Sequence, residues 1–234
     1  MKTLNALLAL GLFGVTGSAL AQDANSFDVL GIKIGMTREQ AEKKLKGEFP
    51  ALQLVETSSY RESPGVQKTL ARLKFYSERM TVFLHFTPLT GKVFSIYRIE
   101  HIGDRYKPET WTPFETLQKA FDKKYGAPTF ISPYGPVHFV VFDKNGTLTK
   151  AKPCNESQIP GGFSKTDERC GVELAYKWRQ GGSGQQYKGF ADGLEMTLTD
   201  HSMVNDEMKN VDMKADEINK QKREQSVGNK APKL

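Results

Sequence analysis

The chain has 234 residues, of which 38% are hydrophobic and 26% charged, and its formal net charge is +6. This length accommodates one large domain or two small ones with a shared core, and the hydrophobic content is ordinary for a globular protein. Because basic and acidic residues are interspersed, the charge indicates a mixed solvated surface and argues against nucleic acid as a partner.

The first 21 residues are typical of a cleavable secretory signal. Lys2 gives a basic start, residues 6–15 (ALLALGLFGV) are apolar, and small residues end at Ala21. The apolar run is about half as long as a membrane-spanning helix, and no cysteine follows Ala21 directly to carry a lipid. We therefore expect cleavage after Ala21, no transmembrane segment in the mature chain, and localisation in a bacterial periplasm.

The sequence contains two cysteines, Cys154 and Cys170. An even number in an exported protein predicts one disulfide bond. The C-x-x-C spacing of a thiol-exchange motif is absent, and a metal site needs two further ligands nearby. The four histidines lack the H-x-x-x-H spacing of paired ligands: His85, His101, His138 and His201. The sequence thus predicts a disulfide, no metal site and no cofactor.

Two helices are predicted by similar signals. Thr37 and Gln40 form a capping box at the start of the first helix, and Thr112 and Glu115 form one at the second, with Pro113 at the first helical position. Apolar residues at helical spacing follow, and each helix then meets a stop signal: Ala41, Leu45 and Phe49 before Pro50, and Leu117, Phe121 and Tyr125 before Gly126 and Pro128. Two such helices, each followed by strands, indicate an internal duplication.

Alternation of apolar and polar residues predicts strands after each helix. They lie near residues 52–60, 72–75, 80–86 and 92–102 after the first helix, and near 138–142, 172–179 and 194–198 after the second. Because clean alternation buries one face of a sheet and exposes the other to solvent, we expect antiparallel sheets. The predicted fold is α+β, with helix-plus-antiparallel-meander repeats at 22–105 and 106–200.

Residues 201–234 form a separate polar segment. A narrow apolar stripe predicts a C-terminal helix: Val204, Met208, Val211, Ala215 and Ile218. Because the stripe is narrow, we expect this helix to be only weakly attached to the domain, with a partner-binding helix as the alternative. Residues 228–234 are expected to be disordered.

No stretch of the sequence frames a catalytic nucleophile or a phosphate loop. The glycine-rich residues 181–184 lack the G-K-[ST] ending and precede a strand instead of opening a helix. Asp200 and His201 are the nearest acid–base pair, although Asp200 is also placed to cap a helix. Four more polar residues line either a cleft between the halves or a solvated connection: Glu100, His101, Asp104 and Arg105. We predict no catalytic residues.

Aromatic side chains are the stronger candidates for binding. Several members of the following set fall opposite the expected core side: Tyr60, Phe83, Tyr97, Trp111, Tyr134, Trp178 and Tyr187. Exposed aromatics on an antiparallel sheet favour protein binding; the alternative is that helices and loops cover both faces. The candidate partner-binding residues are Phe83, Tyr97, Trp178 and Tyr187.

Residues 28–37 (DVLGIKIGMT) resemble the start of a periplasmic module shared by small outer-membrane assembly lipoproteins (the SmpA/OmlA or BamE-like group) and the beta-lactamase inhibitor protein. Residues 123–128 (KKYGAP) and Gly171 resemble the second repeat of exported bacterial proteins of this kind. The resemblance implies a helix followed by an antiparallel meander. It also implies protein binding without catalytic residues, because the named relatives bind proteins.

The sequence therefore predicts a non-enzymatic periplasmic protein-binding module of the cell envelope, accessory or inhibitor-like, with a protein as its partner. Two alternatives stay open: a cell-envelope hydrolase with a site between the repeats, and a binder of an anionic envelope polymer.

Overall fold

The computed structural model describes residues 24–67, 69–104, 106–133, 136–154, 166–180, 182, 186 and 188–228. The predicted signal segment, most of the glycine-rich loop, Arg105, Tyr134, Tyr187 and the residues after 228 lie outside this part of the chain. Within the residues described, none of the helices combines the length and the apolar character needed to cross a membrane.

The fold is α+β, as predicted, and the described residues form three α-helices and one ten-stranded sheet. The helices are α1 (Arg38–Glu48), α2 (Phe114–Tyr125) and α3 (His201–Gly228). The strands are β1 (Gln53–Ser59), β2 (Leu70–Tyr76), β3 (Met80–Phe86), β4 (Val93–His101), β5 (Thr112–Pro113), β6 (Phe130–Ile131), β7 (Val137–Asp143), β8 (Leu148–Thr149), β9 (Cys170–Gln180) and β10 (Phe190–Asp200).

All strand pairs in the sheet are antiparallel. The strand order is β1-β2-β3-β4-β10-β9-β7-β6, with β5 added to β10 and β8 to β7. Strands β1 to β4, which follow α1, thus form one half of the sheet, and strands β5 to β10 form the other. The halves meet where β4 pairs with β10 over seven residues, so a single hydrogen-bonded sheet contains both.

Helix α1 begins as the sequence predicts. The Thr37 hydroxyl accepts the amide hydrogen of Gln40 at 3.3 Å, and the Gln40 side chain accepts the amide hydrogen of Thr37 at 2.9 Å. This reciprocal pair satisfies two amides that the first turn leaves free. Ala41 and Leu45 are then buried on one face of the helix, which places α1 against the sheet.

The predicted cap of α2 is wrong. The helix begins at Phe114, its N-cap is Pro113, and no side chain caps it. Thr112 lies instead in β5, where it pairs with Ala191 of β10, and the Phe114 amide donates to the Gly189 carbonyl at 2.8 Å. The helix starts later than predicted because this ladder keeps the backbone extended through Pro113.

The main core lies between the sheet and helices α1 and α2, on what we call the inner face. It contains the alternate residues of the central strands together with residues of the helices and of the N-terminal segment: Phe27, Ile32, Ala41, Leu45, Leu73, Phe75, Val82, Leu84, Ile96, Tyr125, Val140, Phe142, Leu174, Tyr176, Trp178, Met196 and Leu198. Phe121 of α2 packs on Tyr176 and Trp178, with ring centroids 4.7 and 4.5 Å apart. The inner face is therefore fully covered at its centre.

Trp178 belongs to this core, so the expectation that it offers an outward binding surface is wrong. Its exposed fraction is 6%, and Phe121 meets its ring edge to face. The alternation along β9 correctly separated two faces. What it did not reveal is that α2 covers the face that holds Trp178.

Helix α3 is more firmly docked than its narrow stripe predicts. It packs against β9 and β4, and Val204 in its first turns is only 1% exposed. Two buried polar residues add contacts that hydropathy does not reveal. The Glu207 carboxylate accepts the Thr90 amide hydrogen at 2.9 Å, and the Asn205 side chain accepts that of Thr166 at 3.0 Å. The expectation of weak attachment therefore fails for the first two turns.

The predicted disulfide between Cys154 and Cys170 is confirmed. It ties the start of β9 to the chain that follows β8. Cys154 packs on a small second cluster, formed by Val137, Phe139 and Val141 on the side of β7 away from the main core. The disulfide thus holds Cys154 against one end of the opposite sheet face, which we call the outer face.

Candidate functional site

The strand register aligns one row of side chains across the outer face. Each residue of this row is the direct partner of the next on the adjacent strand, from β1 to β6: Glu56, Lys74, Phe83, Tyr97, Thr197, Ala175, Phe139 and Phe130. Cys154 packs against the cluster that contains Phe139, at the far end of this row. The part of the row from β1 to β10 is the candidate site.

An aromatic pair forms the centre of this site. Phe83 and Tyr97 are directly opposite each other on β3 and β4, and their rings stack with centroids 5.7 Å apart and an angle of 19° between the planes. Both side chains are half-buried. Cross-strand aromatic pairs stabilise a sheet, and they also offer a flat, rigid surface to a partner.

Two cations from β2 flank the Phe83 ring. Arg72 Cζ and Lys74 Nζ lie 5.5 and 5.6 Å from its centroid, within the range of cation–π attraction. Both also pair with Glu56 on the edge strand, Lys74 at 3.9 Å. The carboxylate holds the two cations beside the ring and neutralises part of their charge.

The opposite side of the aromatic pair is bordered by an ion pair. Glu195 of β10 accepts a hydrogen bond from Lys177 Nζ at 2.9 Å and a longer one from the Tyr97 hydroxyl at 3.4 Å. Burial and the charge of Glu195 raise the pKa of Tyr97 to about 12. The phenol therefore stays protonated at neutral pH, as a hydrogen-bond donor at the centre of the site.

The neighbouring row of outer-face side chains, on the side toward α3, is not open to a partner. Ser95 and Thr199 share a hydrogen bond of 2.8 Å between their hydroxyls, and burial together with Arg72 lowers the pKa of His85 to about 4. His85 is therefore neutral at physiological pH. Since α3 packs over this end, the open part of the outer face is bounded on one side by the helix.

Helix α3 also divides the predicted acid–base pair. Asp200 caps the helix, because its carboxylate accepts the Ser202 hydroxyl at 2.6 Å and the Met203 amide at 3.0 Å. His201 turns the other way and lies 3.8 Å from the Glu173 carboxylate. Asp200 thus has a structural role as a helix cap, and His201 is buried apart from it.

The predicted cleft residues take separate partners. Glu100 pairs with Arg98 on the inner side, and His101 Nδ1 lies 2.7 Å from Arg179 Nη2. Asp104 accepts the Tyr106 amide hydrogen at 2.9 Å within its own turn. In the described part of the chain these groups form no shared acid–base constellation.

Of the four predicted contact residues, Phe83 and Tyr97 meet on the outer face. Trp178 lies in the core, and Tyr187 is outside the described residues. Sequence reasoning did not identify Arg72, Lys74 and Glu195 as parts of the site. Alternation placed these charges on the polar face of their strands, but only the register between strands brings them beside the aromatic pair.

Comparison of the chain with protein-family models, with curated proteins and with solved structures yields no match.

Proposed function

We propose that this protein is an exported, non-enzymatic protein-binding module of the cell envelope that contacts a protein partner through the outer face around Phe83 and Tyr97. The observation that carries the proposal is the stacked aromatic pair with charged groups on both sides. Energetic hot spots of interfaces are rich in aromatic residues and arginine and are surrounded by polar contacts.

The proposed architecture is a duplicated module in which each unit is a helix followed by an antiparallel meander. The strand order supports it, because the last strands of the two halves, β4 and β10, are neighbours in the sheet. Both units then contribute to one outer face, with Phe83 and Tyr97 from the first and Thr197 from the second in register. This arrangement makes the outer face larger than either unit alone provides.

The proposed location is the periplasm, with cleavage after Ala21. The basic, apolar and small residues at positions 1–21 support export. The disulfide is in keeping with an oxidising compartment. A protein partner in the same compartment or in the envelope follows from that location.

The test begins with identification of the partner by crosslinking the purified mature protein in a periplasmic extract, followed by measurement of the dissociation constant with the purified partner. The double variant Phe83→Ala/Tyr97→Ala should weaken binding by about 2 kcal/mol or more, roughly thirtyfold, if the pair is a hot spot. Tyr106→Ala/Phe190→Ala is the matched control, because both of these aromatics are exposed elsewhere on the molecule.

Equal affinity of the two double variants would overturn the proposed surface. Circular dichroism of each variant checks that the fold is retained. Turnover of an envelope substrate by the purified protein, abolished by His201→Ala, would favour a hydrolase instead. Capture of an anionic polymer that depends on Lys74 and not on Tyr97 would favour a polymer binder.

A further inference from the structure

Three side chains of the types that ligate metals meet where α3 begins. One ligand atom each from Cys154, Glu173 and His201 lies within 4.8 Å of the other two. The side chains of Glu173 and His201 are each only 6% exposed. Histidine spacing in the sequence gave no sign of such a site, because 28 residues separate Glu173 from His201 along the chain.

The histidine is left without a partner in this buried position. His201 Nε2 is buried and makes no hydrogen bond. Its distance of 3.8 Å from Glu173 Oε1 is too long for a hydrogen bond. It is close to the separation of about 3.4 Å that a nitrogen and an oxygen ligand take around a tetrahedral zinc ion. A buried imidazole nitrogen without a hydrogen bond, beside a carboxylate, offers two ligand atoms of the types that zinc binds.

The carboxylate is already oriented for such a role. The other Glu173 oxygen, Oε2, accepts the backbone amide hydrogen of Cys154 at 2.6 Å. Hydrogen bonds of this kind hold the ligands of metal sites in place. Oε1 is thereby directed toward His201.

The sulfur of Cys154 is bonded to that of Cys170, so it ligates no metal while the disulfide is intact. Reduction adds two electrons and two protons and releases two thiols, while a dithiol reductant becomes a disulfide. The Cys154 thiol then lies beside the Glu173 carboxylate and the His201 imidazole, and the Cys170 thiol, its former bond partner, is the fourth group that can reach the same ion. Tetrahedral zinc sites take thiolate, imidazole and carboxylate ligands.

We propose that the reduced form of this protein binds one zinc ion between the thiolates of Cys154 and Cys170, the Glu173 carboxylate and His201 Nε2. Binding displaces the two thiol protons. The disulfide and the zinc ion exclude each other, because both use the two sulfurs. The redox state of the cysteines therefore decides whether a disulfide or a zinc ion links Cys170, at the start of β9, to Cys154.

Both cysteines line a cleft in the part of the chain that the structure describes. The described residues around the disulfide form a cleft that includes Cys154, Cys170, Lys144, Lys152 and Arg169. The basic side chains favour the thiolate form that binds metal. The site therefore combines a buried Glu173 side with cysteines that line a cleft.

The test uses the full mature chain, oxidised and reduced with a phosphine, titrated with Co²⁺ as a spectroscopic probe and then with Zn²⁺. The phosphine takes up the oxygen of a water molecule, becomes its oxide and leaves two thiols. The reduced chain should bind one equivalent of Co²⁺ with the thiolate charge-transfer and visible bands of a tetrahedral site, displaced by Zn²⁺. The oxidised chain should show neither band.

His201→Asn and Glu173→Gln should each weaken binding by about a hundredfold, because one of four bonds to the ion is lost. His138→Asn, a half-buried histidine elsewhere on the sheet, is the matched control and should bind as the parent does. Far-UV circular dichroism follows the fold throughout. A reduced chain that unfolds and regains its fold with Zn²⁺ supports the proposal, and one that unfolds and binds nothing overturns it. Equal affinity of His201→Asn and His138→Asn also overturns it.

Discussion

The contact between α3 and the turn that precedes β2 is tested by adding a single methyl group. Ser63 and Val66 pair through two backbone hydrogen bonds, and Gly65 at the tip of their turn has φ +81°. A Cβ at this position would overlap the Val211 carbonyl of α3 and approach the Ala215 amide nitrogen to 3.0 Å. Gly65→Ala therefore adds both backbone strain and a clash with the helix.

Gly91 is the matched control. Its φ is +62°, and a Cβ there would meet nothing within 4 Å. Gly91→Ala should cost only the left-handed backbone conformation, roughly 1–2 kcal/mol of unfolding free energy. Gly65→Ala should cost that amount plus about 1–3 kcal/mol for overpacking against α3. The assay is urea denaturation of both variants and the parent at one pH and temperature.

A shortened chain that ends after Asn210 tests whether the extra cost of Gly65→Ala comes from α3. It lacks both helix residues that a Cβ at Gly65 would meet, while Val204 and Glu207 still anchor the first turns. In this chain the cost of Gly65→Ala should fall to that of Gly91→Ala, since the two changes are then equivalent. Equal costs in the full-length chain would refute the docking of α3 on this turn.

The remaining predictions concern a helix cap, a histidine and the disulfide. Thr37→Ala should lower the unfolding free energy by about 1 kcal/mol, whereas Thr112→Ala, which removes no cap hydrogen bond, should cost about 0.5 kcal/mol or less; equal losses in urea denaturation would contradict the assigned caps. The pKa of His85 is about 4 in the folded protein, below the value of about 6.5 expected in the unfolded chain. The folded state therefore favours the neutral ring, and this stability is complete above pH 6.5. It is lost as pH falls toward 4, by about 3 kcal/mol in total. Denaturation curves from pH 7 to 4 should show this fall, and His85→Asn should flatten it; an unchanged slope would refute the burial argument. Thiol labelling of the denatured, unreduced protein should find no free thiol at Cys154 or Cys170, and reduction should cost roughly 3 kcal/mol; two reactive thiols without reductant would contradict the disulfide.

Features encoded in short stretches of the chain were predictable. Alternation in β3, β9 and β10 is a property of neighbouring residues, and so is the capping box of Thr37 and Gln40, whose partners are three residues apart. The prediction of the disulfide required only the even number of cysteines and the signal-like start of the chain. For these features the local sequence contains the whole physical cause.

Features that depend on partners far away in the sequence were not predictable. Thr112 lost its role as a cap because β10 pairs with it 79 residues further along the chain. Trp178 became a core residue because α2 lies on its face of β9. Hydropathy ranked α3 as weakly attached, yet Asn205 and Glu207 dock it through polar contacts that no apolar pattern records.

The candidate site divides in the same way. The sequence by itself determined that Phe83 and Tyr97 are outward positions of two strands, because side chains alternate along any strand. Only the tertiary structure decided that they stack, that Lys74 and Glu195 flank them, and that His201 meets Glu173 beside the disulfide. Pairing register and helix docking set these contacts, and both depend on free energies summed over residues far apart in the chain.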